Sequence, residues 1–270
     1  MVNYNIMKLL VGKPVADEIY SLIKNNNSSI FLFIIVVGHN EDTNSYLKML
    51  SNKAHQYNIQ IIIEHFIEAI EERSLINTIH QKNNDPKINK IMVQLPLPQH
   101  INPLIVNEIN PEKDIDGLHS LNLGKLVQNT DSLSVGSALA TIQLLDFYQI
   151  NVKGLHVVII GSSSFVGLPL SIHLIHKGAS VTIVNEYTTD IQSKTKLADI
   201  LISACGRAHL VTKDWINENV ILLDLGINSL NGKLVGDIDI ESVKDIAQSI
   251  TPVPGGIGPI TTALLLKNCC

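Results

Sequence analysis

The segment "GSSSFVGLPL" (161–170) carries residue types that could bind a phosphate group. Gly161 and Gly167 are six residues apart and follow the apolar run "HVVII". A glycine lets the chain turn sharply at a strand end, and the next helix presents N–H groups to a phosphate. The hydroxyls of Ser162 and Ser163 could add hydrogen bonds. The spacing is not the full G-x-G-x-x-G fingerprint, so a dinucleotide site and a purely structural strand–helix turn both remain open.

Glu186 is a second residue whose position suggests chemistry. It follows the next apolar run, "SVTIVN", and lies 25 residues after Gly161. An acidic side chain there can accept hydrogen bonds from both ribose hydroxyls of NAD and would repel the 2′-phosphate of NADP. The position therefore favours NAD, with a solvent-exposed loop glutamate as the alternative.

The segment "NSYLKMLSNKA" (44–54) predicts an amphipathic helix with Tyr46 facing inward. One turn later stands Leu50, which can neither donate a proton nor stabilise a charge. Lys48 lies about 200° around such a helix from the tyrosine and should face away. Lys53 is nearly aligned with Tyr46 but ~10 Å further along the axis, so only a partial reach back is conceivable.

Short apolar runs alternate with segments of helical periodicity along the chain, which predicts parallel strands with crossover helices. The predicted strands are 30–38, 59–66, 90–97, 156–160, 180–184, 199–203 and 220–224. The predicted helices are 12–24, 42–57, 70–82, 134–149, 165–177, 189–197 and 239–246.

This alternation predicts an α/β fold with two domains. We assign residues 1–132 and 258–270 to the first domain, because the closing helix could return to it. Residues 133–257 form the second domain, which we expect to be a Rossmann-type, doubly wound parallel sheet.

Composition excludes several classes of function. A net charge of −5 with scattered basic residues argues against a nucleic-acid surface. The N-terminus has no leader pattern, and no run approaches the ~18 apolar residues of a membrane span, so we expect a cytoplasmic protein that binds no membrane. Cys205, Cys269 and Cys270 lack metal-ligand spacing and cannot form a disulfide framework. We therefore predict no metal site and inert thiols.

Eight segments in order resemble the bifunctional methylenetetrahydrofolate dehydrogenase/methenyltetrahydrofolate cyclohydrolase family over nearly the whole chain. They are "VVGHNEDTNSY", "VQLPLPQHI", "PEKDIDGLHSLNLGKL", "GSSSFVGLPL", "ADILISACGRAHLV", "LLDLGIN", "LVGDID" and "ITPVPGGIGPITTALLLKN". The resemblance implies two α/β domains flanking a cleft and a homodimer. It also implies oxidation of 5,10-methylenetetrahydrofolate by hydride transfer to a nicotinamide, followed in bifunctional members by hydrolysis of the methenyl product.

The resemblance assigns roles to individual residues. Tyr46 resembles the tyrosine that stacks on the folate ring, Asp116 the aspartate that hydrogen-bonds the pterin, and Gln94 the glutamine beside the reacting carbon. The alternatives are a core aromatic, a turn or cap residue and a strand-end polar group. Two further groups match the family: Pro254, Gly255 and Gly256 at the folate site, and Gly161, Ser162, Ser163 and Ile227 at the cofactor site.

The chain also departs from the family pattern. The family places a lysine four residues after the tyrosine, where this chain has Leu50. An alignment from the opposite end of the helix, with one extra residue, puts Ser51 there, so neither alignment supplies a lysine. "VGSA" (135–138) replaces a "PCTP"-like segment, and Asn185 and Glu186 replace a histidine and a basic or polar residue.

Three hypotheses about function follow. The preferred one is a methylenetetrahydrofolate dehydrogenase that uses NAD or NADP, with NAD favoured, and whose cyclohydrolase activity is weak or lost. Hydride transfer needs mainly two ring systems held in contact, so it can survive the loss of an acid/base group. The second is a folate- or nucleotide-binding protein without turnover, and the third is an ordinary bifunctional enzyme.

Overall fold

A computed structural model describes residues 7–23, 29–130 and 136–270. The described residues divide into two compact units. One unit contains the described residues from Ile19 to 130 and from Thr262 to Cys270. It is called the folate-side unit, after the ligand that the family resemblance implies for it. The other contains those from residue 7 to Glu18 and from 136 to Thr261, and is called the dinucleotide-side unit for the same reason. Two α/β domains were predicted, and the α/β class is confirmed.

The folate-side unit is built on a parallel sheet whose strand order is β3-β2-β4. Its strands are β2 (Ile30–Val37), β3 (Ile59–Phe66) and β4 (Lys90–Val93). The central strand β2, "IFLFIIVV", is buried along most of its length, as expected for a strand covered on both faces. The helices assigned wholly to this unit are α2 (Glu41–Ala54), α3 (Glu72–Asn84) and α4 (Ser120–Val127).

The dinucleotide-side unit contains a parallel sheet of six described strands in the order β1-β11-β8-β7-β5-β6. These are β1 (Lys8–Leu9), β5 (His156–Ile160), β6 (Ser180–Val184), β7 (Ile200–Ser203), β8 (Ile221–Asp224) and β11 (Ser249–Ile250). Strands β9 (Asn228–Leu230) and β10 (Lys233–Val235) form an antiparallel hairpin. Its helices are α5 (Gly136–Phe147), α6 (Gly167–His176), α7 (Ile191–Thr195) and α8 (Ile240–Val243).

Within the residues that the structure describes, the chain passes from one unit to the other inside helix α1 (Lys13–Ser21) and again inside helix α9 (Ile257–Cys269). The boundary differs from the predicted one at the N-terminus. Strand β1 pairs with β11, where Lys8 lies opposite Ser249, so residues 7–18 join the dinucleotide-side unit. Strand β1 has only two residues, and both are exposed, so its sequence has no hydrophobic pattern from which a strand could be predicted. The last residues of α9 join the folate-side unit, where Leu266 is completely buried.

Candidate functional site

Tyr46 is positioned by helix α2, whose inward face is anchored by Leu47 and Leu50. Both leucines are buried in the core of the folate-side unit, and Tyr46 packs against that core while remaining only partly buried. Burial and the neighbouring charge of Asp116 raise the pKa of the Tyr46 phenol, despite a hydrogen bond with the side chain of Thr262. The phenol is therefore neutral at physiological pH and available as a stacking surface.

Asp116 and Gln94 lie at the carboxyl edge of the same sheet. Ile91 of β4 bridges to Asp114 in a parallel sense, and the N–H of Ile115 donates to Ile91. The chain segment leading to Asp116 therefore runs beside β4, and Gln94 immediately follows that strand. Ligands of parallel sheets bind at this edge. The structure thus places Tyr46, Gln94 and Asp116 in one unit, with Tyr46 and Asp116 close enough to interact electrostatically.

The Asp116 carboxyl is poised to titrate near neutrality. Burial, and then the neighbouring carboxylate of Asp114, raise its pKa to about 7. Asp114 itself is 1% exposed and accepts hydrogen bonds from the N–H groups of Gly117 and His119 and from the amide of Asn122. Asp114 therefore has a structural role in the turn.

The Gln94 side chain has a buried oxygen for which the described part of the chain offers no hydrogen-bond partner. Its amide nitrogen donates to the carbonyl of Leu95 at 2.9 Å, whereas Oε1 is buried and accepts no hydrogen bond from the described residues. A buried polar atom without a partner costs about 1–3 kcal/mol. A ligand donor that reached Oε1 would remove this penalty, which fits a glutamine beside a bound substrate.

No lysine of helix α2 replaces the family lysine at Leu50. The Leu50 side chain is completely buried in the core, and the Ser51 hydroxyl donates to the carbonyl of Leu47 at 2.8 Å. The Lys53 ammonium lies 4.3 Å from the ring centre of Tyr20 and 5.8 Å from that of Tyr57. These two rings are stacked with their centres 5.5 Å apart. Lys53, seven residues beyond Tyr46, thus contacts this pair of aromatic rings.

The glycine turn of the dinucleotide-side unit requires glycine at two positions. Gly161 has φ +119°, and a Cβ added there would lie 2.5 Å from the carbonyl oxygen of Ala204. A Cβ on Gly167 would lie 1.9 Å from the carbonyl oxygen of Gly161. The first glycine therefore allows the turn and the second allows helix α6 to approach the sheet, as in a dinucleotide-binding turn.

The other predicted cofactor residues lie within this turn or just beyond strands of the same sheet. The amide of Asn185 donates to the hydroxyl of Ser162 at 3.2 Å, and so ties the end of β6 to the turn. The Ser163 hydroxyl accepts from the N–H of Val166 at 3.1 Å, and therefore shapes the turn itself. Glu186 is exposed just beyond β6, and Ile227 is 68% exposed just beyond β8. Both are open to a ligand at the carboxyl edge of the sheet.

The glycine-rich loop before α9 lies in the dinucleotide-side unit. Pro254 and Gly255 are exposed, whereas Gly256 is buried. Gly255 has φ +106°, and its carbonyl accepts from the N–H of Gly12 at 2.8 Å. The loop is therefore held by the segment after β1. Its assignment to the folate site remains a prediction.

Two buried aspartates were not identified from the sequence. Asp224 is 3% exposed at the end of β8, and Asp237 is completely buried after β10. Both belong to segments quoted for the family resemblance, "LLDLGIN" and "LVGDID". For Asp224, the available signal was an acidic residue at the end of an apolar run. The roles of both aspartates become clear only from their hydrogen bonds.

The expectations about metals, thiols and membranes have the following outcomes. Among the described residues, no three His, Cys, Asp or Glu side chains cluster in a way that could hold a metal ion. Burial raises the pKa of Cys205 to about 11 and that of Cys269 to about 12, so both thiols are protonated at neutral pH. No helix in the described part of the chain is both long and apolar enough to cross a membrane.

Two family models match the chain. One, described as the catalytic domain of tetrahydrofolate dehydrogenase/cyclohydrolase, matches residues 10–116. The other, described as the NAD(P)-binding domain of tetrahydrofolate dehydrogenase/cyclohydrolase, matches residues 136–270. The chain is also similar to a curated relative, the bifunctional protein FolD of Nitratiruptor sp. The two are 38% identical over 271 residues, which cover 97% of this chain and 96% of the relative.

Solved structures give the same result. The bifunctional enzyme FolD, a methylenetetrahydrofolate dehydrogenase/cyclohydrolase from Campylobacter jejuni, is 37% identical with a TM-score of 0.90, and the match covers 97% of each chain. The N5,N10-methylenetetrahydrofolate dehydrogenase-cyclohydrolase of Trypanosoma brucei, complexed with NADP cofactor and inhibitor, is 28% identical with a TM-score of 0.89. That match covers 98% of this chain and 96% of the other.

Proposed function

Because the chain belongs to the tetrahydrofolate dehydrogenase/cyclohydrolase family, we propose that it oxidises 5,10-methylenetetrahydrofolate by hydride transfer to a nicotinamide cofactor. The observation that carries this proposal is the group formed by Tyr46, Gln94 and Asp116 in the folate-side unit. A carboxylate suits the paired N–H donors of an aminopyrimidine. A neutral phenol offers a ring face for stacking, and the unpartnered Oε1 of Gln94 offers an acceptor.

The dinucleotide-side unit has the features needed to hold the cofactor, which supplies the hydride acceptor when bound. The backbone can approach as closely as it does at Gly161 and Gly167 only if both residues stay glycine. Ser162, Glu186 and Ile227 would then contact the cofactor. The residues of this chain contribute binding, orientation and exclusion of water, which account for much of the rate of a hydride transfer.

We further propose that the cyclohydrolase activity is weak. Hydrolysis needs a group that moves a proton, and such a group contributes about 10²–10⁴-fold to a rate. Leu50 is completely buried and apolar, and Lys53 is engaged by Tyr20 and Tyr57. The curated relatives are bifunctional by name, so this chain would have specialised towards one of the two reactions.

A paired assay of the two half-reactions tests the proposal. Purified protein is mixed with methylenetetrahydrofolate and NAD or NADP, and formation of the reduced nicotinamide is followed by absorbance. Hydrolysis of methenyltetrahydrofolate is followed separately. We expect turnover in the first assay and little in the second. Absence of reduced nicotinamide with either cofactor would favour a folate- or nucleotide-binding protein without turnover, and efficient hydrolysis would favour a bifunctional enzyme.

We propose that NAD is preferred to NADP. Glu186 is exposed just beyond the end of β6. Its carboxylate would accept hydrogen bonds from the ribose hydroxyls of NAD and would repel the 2′-phosphate of NADP. The substitution Glu186→Ser should lower the KM for NADP by about fivefold, since an interaction between exposed charges is worth up to about 1 kcal/mol. Asp190→Ser, at another exposed acidic residue, is the control. A parent protein with equal KM values for both cofactors would contradict the preference.

The finer assignments of assembly and location are also proposals. The family resemblance supports a homodimer, which light scattering coupled to size exclusion would test. The net charge of −5 and the scattered basic residues support a cytoplasmic location, which fractionation of the native cells would test.

A further inference from the structure

A completely buried carboxylate, Asp237, lies at the centre of the loops that follow the strands of the dinucleotide-side sheet. Burial alone would raise its pKa. Hydrogen bonds from Asn228, Cys205 and Ser203 outweigh burial and hold the pKa below its usual range. Asp237 is therefore a buried negative charge that the protein stabilises with donors.

The donors come from two separate parts of the chain, the end of β7 with the loop after it and the first residue of β9. Oδ2 accepts from the Ser203 hydroxyl at 2.9 Å and from the N–H groups of Cys205 and Gly206 at 2.9 and 3.2 Å. Oδ1 accepts from the N–H of Arg207 at 2.8 Å and from the amide of Asn228 at 3.0 Å. The Asp237 carboxylate thus binds the three successive N–H groups of Cys205–Arg207, after β7. It also binds the side chain of Asn228, which follows Ile227 after β8.

Asp237 is itself fixed by a second buried carboxylate. Asp224 Oδ1 accepts from the N–H groups of Gly226 and Asp237 at 2.9 and 3.0 Å, and its Oδ2 accepts from that of Ile238 at 2.8 Å. There is no spare room, because a Cβ on Gly226 would lie 2.1 Å from Asp237 Oδ1. The orientation of the Asp237 side chain is therefore determined from both ends.

The loop held by Asp237 supports the glycine turn. Gly161 lies against Ala204, immediately before the three N–H groups that Asp237 binds. The loops after β5, β7 and β8 are therefore connected through one side chain that is too deeply buried to touch a ligand. We propose that Asp237 is a positioning residue for the dinucleotide site, acting through Cys205–Arg207 on the glycine turn and through Asn228 on Ile227.

This inference rests on the proposed use of a nicotinamide dinucleotide and adds a residue that controls its affinity. The test compares Asp237→Asn and Asn228→Ala with the parent. In Asp237→Asn, the NH2 group of the new amide would face donors that now bind the carboxylate. Asn228→Ala removes only the hydrogen bond from the Asn228 amide, at a partly exposed residue. Asp239→Asn is the control, since Asp239 is a nearby aspartate whose carboxylate also accepts a backbone N–H, that of Ser242.

Affinity for NADH is measured by energy transfer from Trp215, the single tryptophan of the chain. Tetrahydrofolate affinity is measured by calorimetry, and all data are taken where circular dichroism shows each variant folded. Hydrogen bonds to charged groups are stronger than those between neutral groups, so we expect the Kd for NADH to rise about tenfold or more in Asp237→Asn. Asn228→Ala should show a smaller rise, Asp239→Asn none, and the tetrahydrofolate Kd should stay constant in all three.

The outcomes separate this inference from the proposed function. Failure of the parent to bind NADH or NADPH would remove the proposed function itself. Parent-like NADH affinity in both Asp237→Asn and Asn228→Ala, or an equal loss of tetrahydrofolate affinity, would overturn the positioning role. If Asp237→Asn does not fold, Asn228→Ala alone decides between these results.

Discussion

Leu50 is the residue on which the balance between the two reactions depends. Replacing it by lysine puts a long side chain one helical turn after Tyr46, where it can extend its ammonium from the core towards the site. We expect Leu50→Lys to increase hydrolysis of methenyltetrahydrofolate by about 100-fold, the low end of what a proton-transferring group contributes. Burying the lysine stem in a packed core should also lower the free energy of unfolding.

Leu50→Met is the matched control, because methionine, like lysine, is unbranched, but it is apolar and carries no ammonium group. The decay of methenyl absorbance is measured for both variants under conditions where both are folded. Equal hydrolysis by Leu50→Lys and Leu50→Met would show that position 50 does not limit the reaction.

Asp116 should make folate use dependent on pH. Its pKa of about 7 arises from burial and from the charge of Asp114. Only the ionised carboxylate accepts both donors of a pterin edge, so kcat/KM for methylenetetrahydrofolate should rise as pH increases through about 7. Initial rates at saturating NAD and low folate measure this. Asp116→Asn should lower kcat/KM and remove the inflection, and an inflection that persists in the variant would assign it to another group.

At the level of elements, the strands and long helices could be predicted because their apolar periodicity is strong. Strand β2 and helix α6 follow their predicted positions closely. Strand β1 could not be predicted, because its two residues are exposed and its pairing partner β11 lies about 240 residues away in the chain. At the site, the glycine turn and Glu186 could be singled out from spacing, whereas Asp237 is explained only by donors from loops distant in sequence.

The segment between β1 and α1 gives a prediction at this scale. A Cβ on Gly12 would lie 1.8 Å from the carbonyl oxygen of Gly256, and neither backbone can yield easily. Gly12→Ala should lower the free energy of unfolding by about 1–3 kcal/mol, as overpacking does. Gly124→Ala is the control, since Gly124 lies within helix α4 with nothing within 4 Å of its added Cβ. That change should raise stability by about 0.5–1 kcal/mol. Urea unfolding of both variants gives the comparison, and equal losses would contradict it.

For the whole molecule, each unit contains a buried carboxyl whose pKa is raised, and this makes stability depend on pH. Burial raises the pKa of Asp224 to about 6 in the dinucleotide-side unit and that of Asp116 to about 7 in the folate-side unit. A raised pKa means that the folded chain holds these protons more tightly than the unfolded chain. The stabilisation is complete below pH ~4 and is lost as pH rises through the folded-state values. For Asp224, a shift of about two units corresponds to on the order of 3 kcal/mol.

We therefore expect the free energy of unfolding to fall between about pH 4.5 and pH 7, over the same range in which ionised Asp116 improves folate binding. Urea unfolding at the two pH values measures the change. Because Asn does not titrate, Asp224→Asn should reduce the difference between the two pH values, whatever its effect on absolute stability. Asp239→Asn should leave that difference unchanged. A parent protein that becomes more stable as pH rises over this interval would show that other groups dominate, and that burial of these two carboxyls does not set the balance between stability and binding.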